Sequence, residues 1–246
     1  MKNQAVVAVT LDAKTAAKCA VFAMMANNCY HAEEKRPFEL KNAGWHHVDW
    51  NGSDTSEPTQ TFASGFACDL FLHNDGERAV IAFRGTDSPL DWFVANLGAP
   101  LSVPYKQATK VVDEYRNSHP LKVLTIVGHS LGGGMALGTS ARLGVPAYAF
   151  NPSPRVFDGL GDEHKPARRV VVYQHGDILK KIGKFWFKIG QLVQPEDVYS
   201  CAYSVPEGAE HRIDLLALNL GRQGSSDLST AGEVARRLVD GYVPAP

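Results

Sequence analysis

Residues 121–143 read LKVLTIVGHSLGGGMALGTSARL, and the fold can be predicted from this segment. Residues 121–127 form an apolar run of strand length, and residues 135–143 are typical of a helix that Gly144 stops. Between them, G-H-S-L-G matches the pattern G-x-S-x-G, in which small residues on either side let a serine occupy a tight strand-to-helix turn. We therefore predict that Ser130 stands at the apex of such a turn.

Strand-like and helix-like segments alternate on both sides of this turn. Helical spacing predicts helices over residues 14–30, 106–118, 213–220 and 232–239, and apolar or β-branched runs predict strands over 60–73, 78–83, 147–150, 169–174 and 197–204. The turn formers Asn74-Asp75-Gly76 predict a hairpin between the first two of these strands. Because the middle strands are apolar throughout, we expect an α/β fold with a mostly parallel central sheet, helices on both faces, and a single domain over residues 1–246.

The composition argues against several classes of protein. The 246 residues are 44% hydrophobic and 21% charged, as in ordinary globular proteins, and 25 Lys and Arg nearly balance 26 Asp and Glu. This balance gives no electrostatic reason to expect a nucleic-acid partner. The apolar runs are shorter than the roughly 18 residues that cross a bilayer, and the N-terminal run is too short for a cleaved signal peptide. We expect a protein that is cytoplasmic, or exported without a cleaved signal peptide.

The sequence also gives no sign of a disulfide framework, a metal site or a cofactor. Cys19, Cys29, Cys68 and Cys201 lack C-x-x-C spacing, which favours buried thiols in a reducing compartment. The adjacent pair His46-His47 has no third ligand nearby, and residues 128–134 lack the Lys-Ser/Thr end of a phosphate-binding loop. We therefore expect no metal and no cofactor.

A serine hydroxyl needs a base to become a nucleophile, and the base needs an orienting acid. In folds with this type of turn the chain order is Ser, then Asp or Glu, then His. Only His164, His175 and His211 follow Ser130. His211 precedes an apolar helical stretch and has acids upstream, so we predict that it is the base.

The acid is expected where a strand ends at the edge of the sheet. Asp177 meets this condition because it closely follows the run at residues 169–174. Asp158, Asp162 and Asp197 compete with it, and Asp197 is the strongest rival because a strand-like run follows it. Asp177 also has a purely structural interpretation, as the N-cap of a helix.

Acyl transfer requires hydrogen-bond donors for the oxyanion of the tetrahedral intermediate. The turn itself supplies the backbone N–H of Leu131, the residue after the serine. A second donor is expected from the loop after an earlier strand, where Thr86 offers both an N–H and a hydroxyl. The alternative for Thr86 is that it only caps the following turn.

Four stretches together resemble the lipase class 3 family, which contains the fungal triacylglycerol lipases. They occur along the sequence in the same order as in the family. They are Ile81-Ala-Phe-Arg-Gly-Thr86, Asp91-Trp-Phe-Val-Ala-Asn-Leu97, Ile126-Val-Gly-His-Ser-Leu-Gly-Gly133 and Phe150-Asn-Pro-Ser-Pro-Arg-Val156. The resemblance covers the central part of the chain and implies an α/β-hydrolase fold. The segment Pro104-Tyr-Lys-Gln-Ala departs from the His-x-Gly-Phe that often follows in this family, and the elements beyond Asp177 match poorly.

By this resemblance, Ser130 is the nucleophile, Asp177 the acid and His211 the base, and Thr86 stands at the oxyanion position. The segment around Trp92 takes the place of an amphipathic lid helix, although an ordinary packed helix over residues 90–97 explains its apolar side chains as well. Residues 178–193 alternate apolar and basic side chains at helical spacing. This pattern suits transient contact with a membrane surface, and it is also typical of a core-facing stripe.

The residues and the resemblance together predict a serine ester hydrolase that acts on lipid carboxylic esters, of the triacylglycerol lipase or phospholipase type, through an acyl-enzyme. Its partner is then a lipid or ester substrate. Two alternatives share the same residues or the same fold. One is a thioesterase or another non-lipid acyl hydrolase, and the other is a binding module without catalysis.

Overall fold

The computed structural model describes residues 9–32, 35–85, 102–154, 156, 164–177 and 189–244. Within these residues the strands are β1 (Val9–Thr10), β2 (Trp45–Val48), β3 (Gln60–Thr61), β4 (Ala67–His73), β5 (Arg78–Phe83), β6 (Val123–His129), β7 (Ala147–Phe150), β8 (Arg169–Gln174) and β9 (Val198–Cys201). The longer helices are α1 (Ala13–Asn28), α2 (Ser102–Ser118), α3 (Leu131–Leu143), α4 (Ile213–Gly224) and α5 (Thr230–Asp240). Short 3₁₀ turns occupy Leu40–Ala43 and Pro195–Asp197.

The strands form one mixed sheet in the order β1-β9-β8-β7-β6-β5-β4-β2, with β3 paired to β4. Pairing is parallel from β1 through β9, β8, β7 and β6 to β5, and antiparallel where β4 joins β5, β2 and β3. The parallel strands carry their carboxyl ends to one edge, where loops position functional side chains. The mostly parallel central sheet expected from the sequence is therefore confirmed.

Helices cover both faces of this sheet, as β5 illustrates. Its residues Val80 and Ala82 pack into a core with α1, α4 and α5. Its residues Ile81 and Phe83 point the other way, into a core with α2 and α3. Strands buried on both faces are apolar throughout, because each face contacts a helix layer. The arrangement is the α/β-hydrolase fold predicted from the sequence.

Close packing of α1 against α4 fixes the segment that follows His211. Asp12 caps the start of α1 by accepting a hydrogen bond of 2.7 Å from the Thr15 N–H. At the far end of α4, a Cβ on Gly224 would lie 2.5 Å from the Cα of Ala17, so the two backbones touch where only glycine fits. At its start, α4 buries Ile213 and Leu216 in the same core as α1, and this packing fixes the point where the loop that carries His211 ends.

Two of the differences between predicted and observed element boundaries have a clear physical cause. The strand predicted over residues 60–73 is two strands, because the chain turns between them: the Phe62 N–H donates to the Phe66 carbonyl and Gly65 adopts a φ of +83°. The helix predicted from residue 135 begins at Leu131, so it includes the three glycines that propensity assigns to a loop. Tight packing of these glycines against neighbouring backbone outweighs their low helix propensity.

The four cysteines are buried free thiols, as expected. None of the described helices has both the length and the apolar character needed to cross a membrane.

Candidate active site

Ser130 occupies a tight turn between β6 and α3. Its backbone has a φ of +54° and a ψ of −123°, a conformation that costs a non-glycine residue about 1–3 kcal/mol. Two backbone hydrogen bonds hold it there. The Ser130 N–H donates to the Phe150 carbonyl over 3.1 Å, and the Ser130 carbonyl accepts from the Ser153 N–H over 2.8 Å. The end of β7 and the loop after it thus hold the backbone of Ser130 in its strained conformation.

Glycines on both sides of Ser130 make the turn sterically feasible. A Cβ on Gly128 would lie 2.3 Å from the carbonyl oxygen of Gly132, across the turn. A Cβ on Gly132 would lie 2.2 Å from the carbonyl oxygen of Phe83, at the end of β5. Because both positions are glycines, the turn can close and lie against β5.

Ser130, His211 and Asp177 lie in a hydrogen-bonded row. His211 Nε2 is 2.9 Å from Ser130 Oγ, and His211 Nδ1 is 2.6 Å from Asp177 Oδ2. A carboxylate only accepts, so the imidazole proton lies on Nδ1, and Nε2 is left to accept the proton of the serine hydroxyl. The Asp177 side chain is 2% exposed, which shields this contact from solvent.

Each member of the row comes from the edge where parallel strands end. Asp177 follows β8 on a turn in which the Asp177 N–H donates to the Gln174 carbonyl and Gly176 has a φ of +88°. His211 lies on the loop between β9 and α4. The three side chains are far apart in sequence and are brought together by the parallel sheet.

The rival candidates lie elsewhere or outside the described residues. Asp197 forms an ion pair with Arg168, with 2.9 Å between its Oδ1 and the guanidinium nitrogen. His164 and His175 are both exposed. Asp158 and Asp162 lie outside the described residues. Among the described candidates, the structure therefore brings together the same three residues that the sequence analysis favoured.

The oxyanion donors are described only in part. Leu131 is the first residue of α3, and the first N–H groups of a helix have no intrahelical acceptor, so this N–H points out of the helix end beside Ser130. Thr86 lies outside the described residues, as do residues 90–97 and 178–188. The last described residue before Thr86 is Gly85, which is buried next to the end of β5.

Two residues near the row have roles that the sequence analysis did not assign. Asn151 has a φ of +39°, and its side-chain Nδ2 donates to the Glu210 carbonyl over 3.1 Å. His129 Nε2 lies 2.8 Å from the His211 carbonyl oxygen. Both residues belong to stretches that carry the family resemblance, so their position in those motifs was the available signal.

Comparison with solved structures gives distant likenesses to fungal lipases. The lipase II from Rhizopus niveus has 16% sequence identity and a TM-score of 0.49, with 72% of this chain and 78% of that chain covered. The lipase from Rhizopus microsporus var. chinensis has 17% identity and a TM-score of 0.46, covering 67% of this chain and 68% of that chain. For the Lip2 lipase from Yarrowia lipolytica, the identity is 14%, the TM-score 0.44, and the coverage 72% and 76%. Among curated proteins, none matches the chain.

A family comparison is more specific. The model of a phospholipase-like family, described as the Tle-like phospholipase domain, matches residues 21–184. This range includes Ser130 and Asp177 and ends before His211, so the geometry alone brings His211 into the site. The lipase-like family expected from the sequence motifs is confirmed. Because the match spans more than half of the 246 residues, the chain belongs to the Tle-like phospholipase domain family and is a carboxylic ester hydrolase.

Proposed function

We propose that this protein hydrolyses a carboxylic ester bond of phospholipids through an acyl-enzyme, with Ser130 as nucleophile, His211 as base and Asp177 as the orienting acid. The observation that carries the proposal is the row of two hydrogen bonds, 2.9 Å from Ser130 to His211 and 2.6 Å from His211 to Asp177. Membership of a phospholipase-like family supports a phospholipid as the substrate.

Acylation begins at the serine. His211 Nε2 takes the proton of the Ser130 hydroxyl while Ser130 Oγ forms a bond to the acyl carbon of the ester. The ester carbonyl becomes an oxyanion, which the N–H of Leu131 stabilises together with Thr86. Asp177 stabilises the imidazolium that forms, through the proton on Nδ1.

Collapse of the tetrahedral intermediate breaks the ester C–O bond. The imidazolium returns its proton to the departing alkoxide, so the lysophospholipid leaves as an alcohol and the fatty acyl group stays on Ser130. A water molecule then gives a proton to Nε2 as its oxygen adds to the acyl carbon. The second collapse releases the fatty acid, and the proton returns to Ser130 Oγ.

The proposal is tested by product analysis with vesicles of phosphatidylcholine and phosphatidylglycerol. We expect release of fatty acid and lysophospholipid, and a loss of at least about 10³-fold in rate for Ser130→Ala. Ser226→Ala is the matched control, because it removes an exposed serine hydroxyl that bonds only the backbone of its own turn among the described residues. It is expected to retain the wild-type rate.

Three results would contradict this assignment. Release of a phosphorylated headgroup would mean that a phosphodiester bond is cleaved instead of a carboxylic ester. Faster turnover of an acyl thioester than of the vesicle lipid would indicate that the protein is a thioesterase. Full activity in Ser130→Ala would show that Ser130 is not the nucleophile.

A further inference from the structure

A partly buried chain of hydrogen bonds runs beside the proposed triad and ends on the backbone of its base. The Gly85 N–H donates to the Tyr30 hydroxyl oxygen over 3.0 Å. The Tyr30 hydroxyl lies 3.1 Å from His129 Nδ1, and His129 Nε2 lies 2.8 Å from the His211 carbonyl oxygen. These hydrogen bonds thus connect Gly85, the residue before Thr86, with the backbone of His211, the proposed base.

Each of these hydrogen bonds has a fixed direction. The His211 carbonyl only accepts, so Nε2 of His129 carries a proton. Burial, and the neighbouring His211, hold the pKa of His129 well below its usual value, so the ring is neutral and has only this one proton. Nδ1 is therefore an acceptor, and Tyr30 donates to it. The hydroxyl also lies 3.4 Å from the His129 carbonyl, a longer and weaker contact.

The neutral state of His129 suits its position. Its ring centroid lies 4.7 Å from that of His211, and the side chain is buried with 5% exposure. A charge on His129 would repel the imidazolium that the mechanism forms on His211. As a neutral ring, His129 donates to the backbone of His211 without opposing that charge.

The approach of Tyr30 to the end of β5 depends on Gly85. A Cβ at this position would lie 2.3 Å from the Tyr30 hydroxyl and 2.9 Å from the His129 carbonyl oxygen. The missing side chain therefore leaves just the space that the hydroxyl fills. Because Gly85 directly precedes Thr86, the hydrogen bond to Tyr30 holds the last described residue before the proposed oxyanion donor.

At its other end, this series of hydrogen bonds holds a loop with little regular structure. Residues 202–212 connect β9 to α4 through turns and irregular backbone. Asn151 Nδ2 binds the carbonyl of Glu210 over 3.1 Å, and His129 Nε2 binds the next carbonyl, that of His211. His129, the last residue of β6, and Asn151, which follows β7, thus bind consecutive carbonyls of the loop.

We propose that Tyr30 and His129 are positioning residues, which hold the backbone of His211 in a fixed relation to the end of β5, so that the base stays aligned with Ser130. This inference rests on the proposed triad. It makes Tyr30 important for the rate of the chemical steps, although its hydroxyl acts through His129 and Gly85 and touches no reacting atom.

The first test compares Tyr30→Phe with Tyr203→Phe. Both variants remove one hydroxyl that is hydrogen-bonded within the protein, and the Tyr203 hydroxyl binds Gln223 of α4. Active sites are first counted with a fluorophosphonate, and kcat and KM are then measured on a soluble short-chain ester. We expect kcat per active site to fall about tenfold in Tyr30→Phe with KM nearly unchanged, and both to stay at wild-type values in Tyr203→Phe.

A purely structural role would give a different result. It would lower Tm and the fraction of active sites in both variants, and leave kcat per remaining site unchanged. Wild-type kcat per site in Tyr30→Phe would therefore overturn the inference. A second pair, His129→Gln and His129→Leu, tests the donor itself: the glutamine amide restores a donor to the His211 carbonyl, so it is expected to retain more of kcat than the leucine.

An NMR measurement keeps this inference separate from the proposed function. We expect the ¹⁵N signals of His129 to show a neutral ring protonated on Nε2, and the ring signals of His211 to shift in Tyr30→Phe and not in Tyr203→Phe. Unchanged His211 signals in Tyr30→Phe would overturn the positioning role. If the wild-type protein hydrolyses no ester while the signals behave as expected, the proposed function fails and the hydrogen-bond chain stands.

Discussion

The carboxylate of Asp177 lies 2.6 Å from Nδ1 of His211, and this contact joins the turn after β8 to the loop before α4. The carboxylate is buried, so the hydrogen bond acts in surroundings of low dielectric constant, where it is stronger than in water. It selects the imidazole tautomer that presents a free Nε2 to Ser130. The reactivity that we propose for Ser130 therefore depends on two segments that meet only in the folded chain.

Replacing the acid tests this dependence. Asp177→Asn keeps the size of the side chain and removes its charge, so the imidazole is no longer held in the tautomer that accepts the serine proton. We expect kcat to fall by about 10³- to 10⁴-fold with the fold retained. Kinetics on a soluble ester, with circular dichroism to check folding, provide the measurement.

Asp197→Asn is the matched control for this substitution. Asp197 pairs with Arg168 away from the triad, so the variant is expected to keep the wild-type kcat. An equal loss in Asp197→Asn, or a wild-type rate in Asp177→Asn, would assign the acid differently.

The sterics of the turn give a second prediction, Gly132→Ala. The added Cβ would lie 2.2 Å from the Phe83 carbonyl oxygen, so β5 and the turn have to separate. We expect a loss of about 1–3 kcal/mol in the free energy of unfolding and slower labelling of Ser130 by a fluorophosphonate. Urea unfolding and labelling rates measure the two effects.

Gly241→Ala serves as the comparison, because its Cβ would meet the Arg237 carbonyl oxygen at 3.4 Å, a nearly ordinary contact far along the chain from the turn. Its labelling rate should equal that of the wild type. Equal stability and equal labelling in Gly132→Ala would show that the turn does not need a glycine there.

The pKa of His129 predicts how stability varies with pH. It is well below the usual value of 6.5 in the folded protein because the ring is buried. Well above pH 6.5 the ring is neutral in both states, and it adds no pH dependence. As the pH falls below that value the unfolded chain binds a proton that the folded protein does not, so stability falls by up to about 1.4 kcal/mol per pH unit.

Urea unfolding between about pH 7 and pH 5 measures this slope, and His129→Gln removes the titrating group. We expect the variant to lose less stability over this range than the wild type, whatever its stability at neutral pH. Identical slopes would mean that His129 binds a proton in the folded state.

The four cysteines provide a prediction about reactivity. Burial raises the pKa of Cys19 and of Cys201 to about 12, and it also raises the pKa values of Cys29 and Cys68. The thiolate is the reactive form, so iodoacetamide at about pH 8 should leave the folded protein unlabelled and modify all four cysteines in urea. Rapid labelling of any one of them in the folded protein would contradict its burial.

The sequence carries much of the fold and of the site because both depend on local patterns. The apolar run at residues 121–127 and the G-H-S-L-G motif identify β6 and the turn without reference to the rest of the chain. The apolar strand before Asp177 marks the edge of the sheet where an acid is expected. These features follow from residues that are neighbours in sequence, and pattern analysis detects such relations.

The remaining features depend on contacts between distant segments. The helix α3 starts at Leu131 because its glycines pack against β5 and the loop after β7, which propensity does not register. The hydrogen bonds of Tyr30 and His129 join the segment after α1, the end of β6 and the loop before α4. These residues are therefore recognised only when the folded structure places the three segments side by side.

Covalent labelling identifies the nucleophile of the protein. The protein is treated with a fluorophosphonate, and the modified residue is located by peptide mass spectrometry, beside Ser130→Ala and His211→Ala. We predict one adduct per chain, located on Ser130, absent in Ser130→Ala and formed at least about 10²-fold more slowly in His211→Ala. An adduct on another residue, or an unmodified wild-type protein, would contradict the proposal that Ser130 is the nucleophile of an acyl-enzyme.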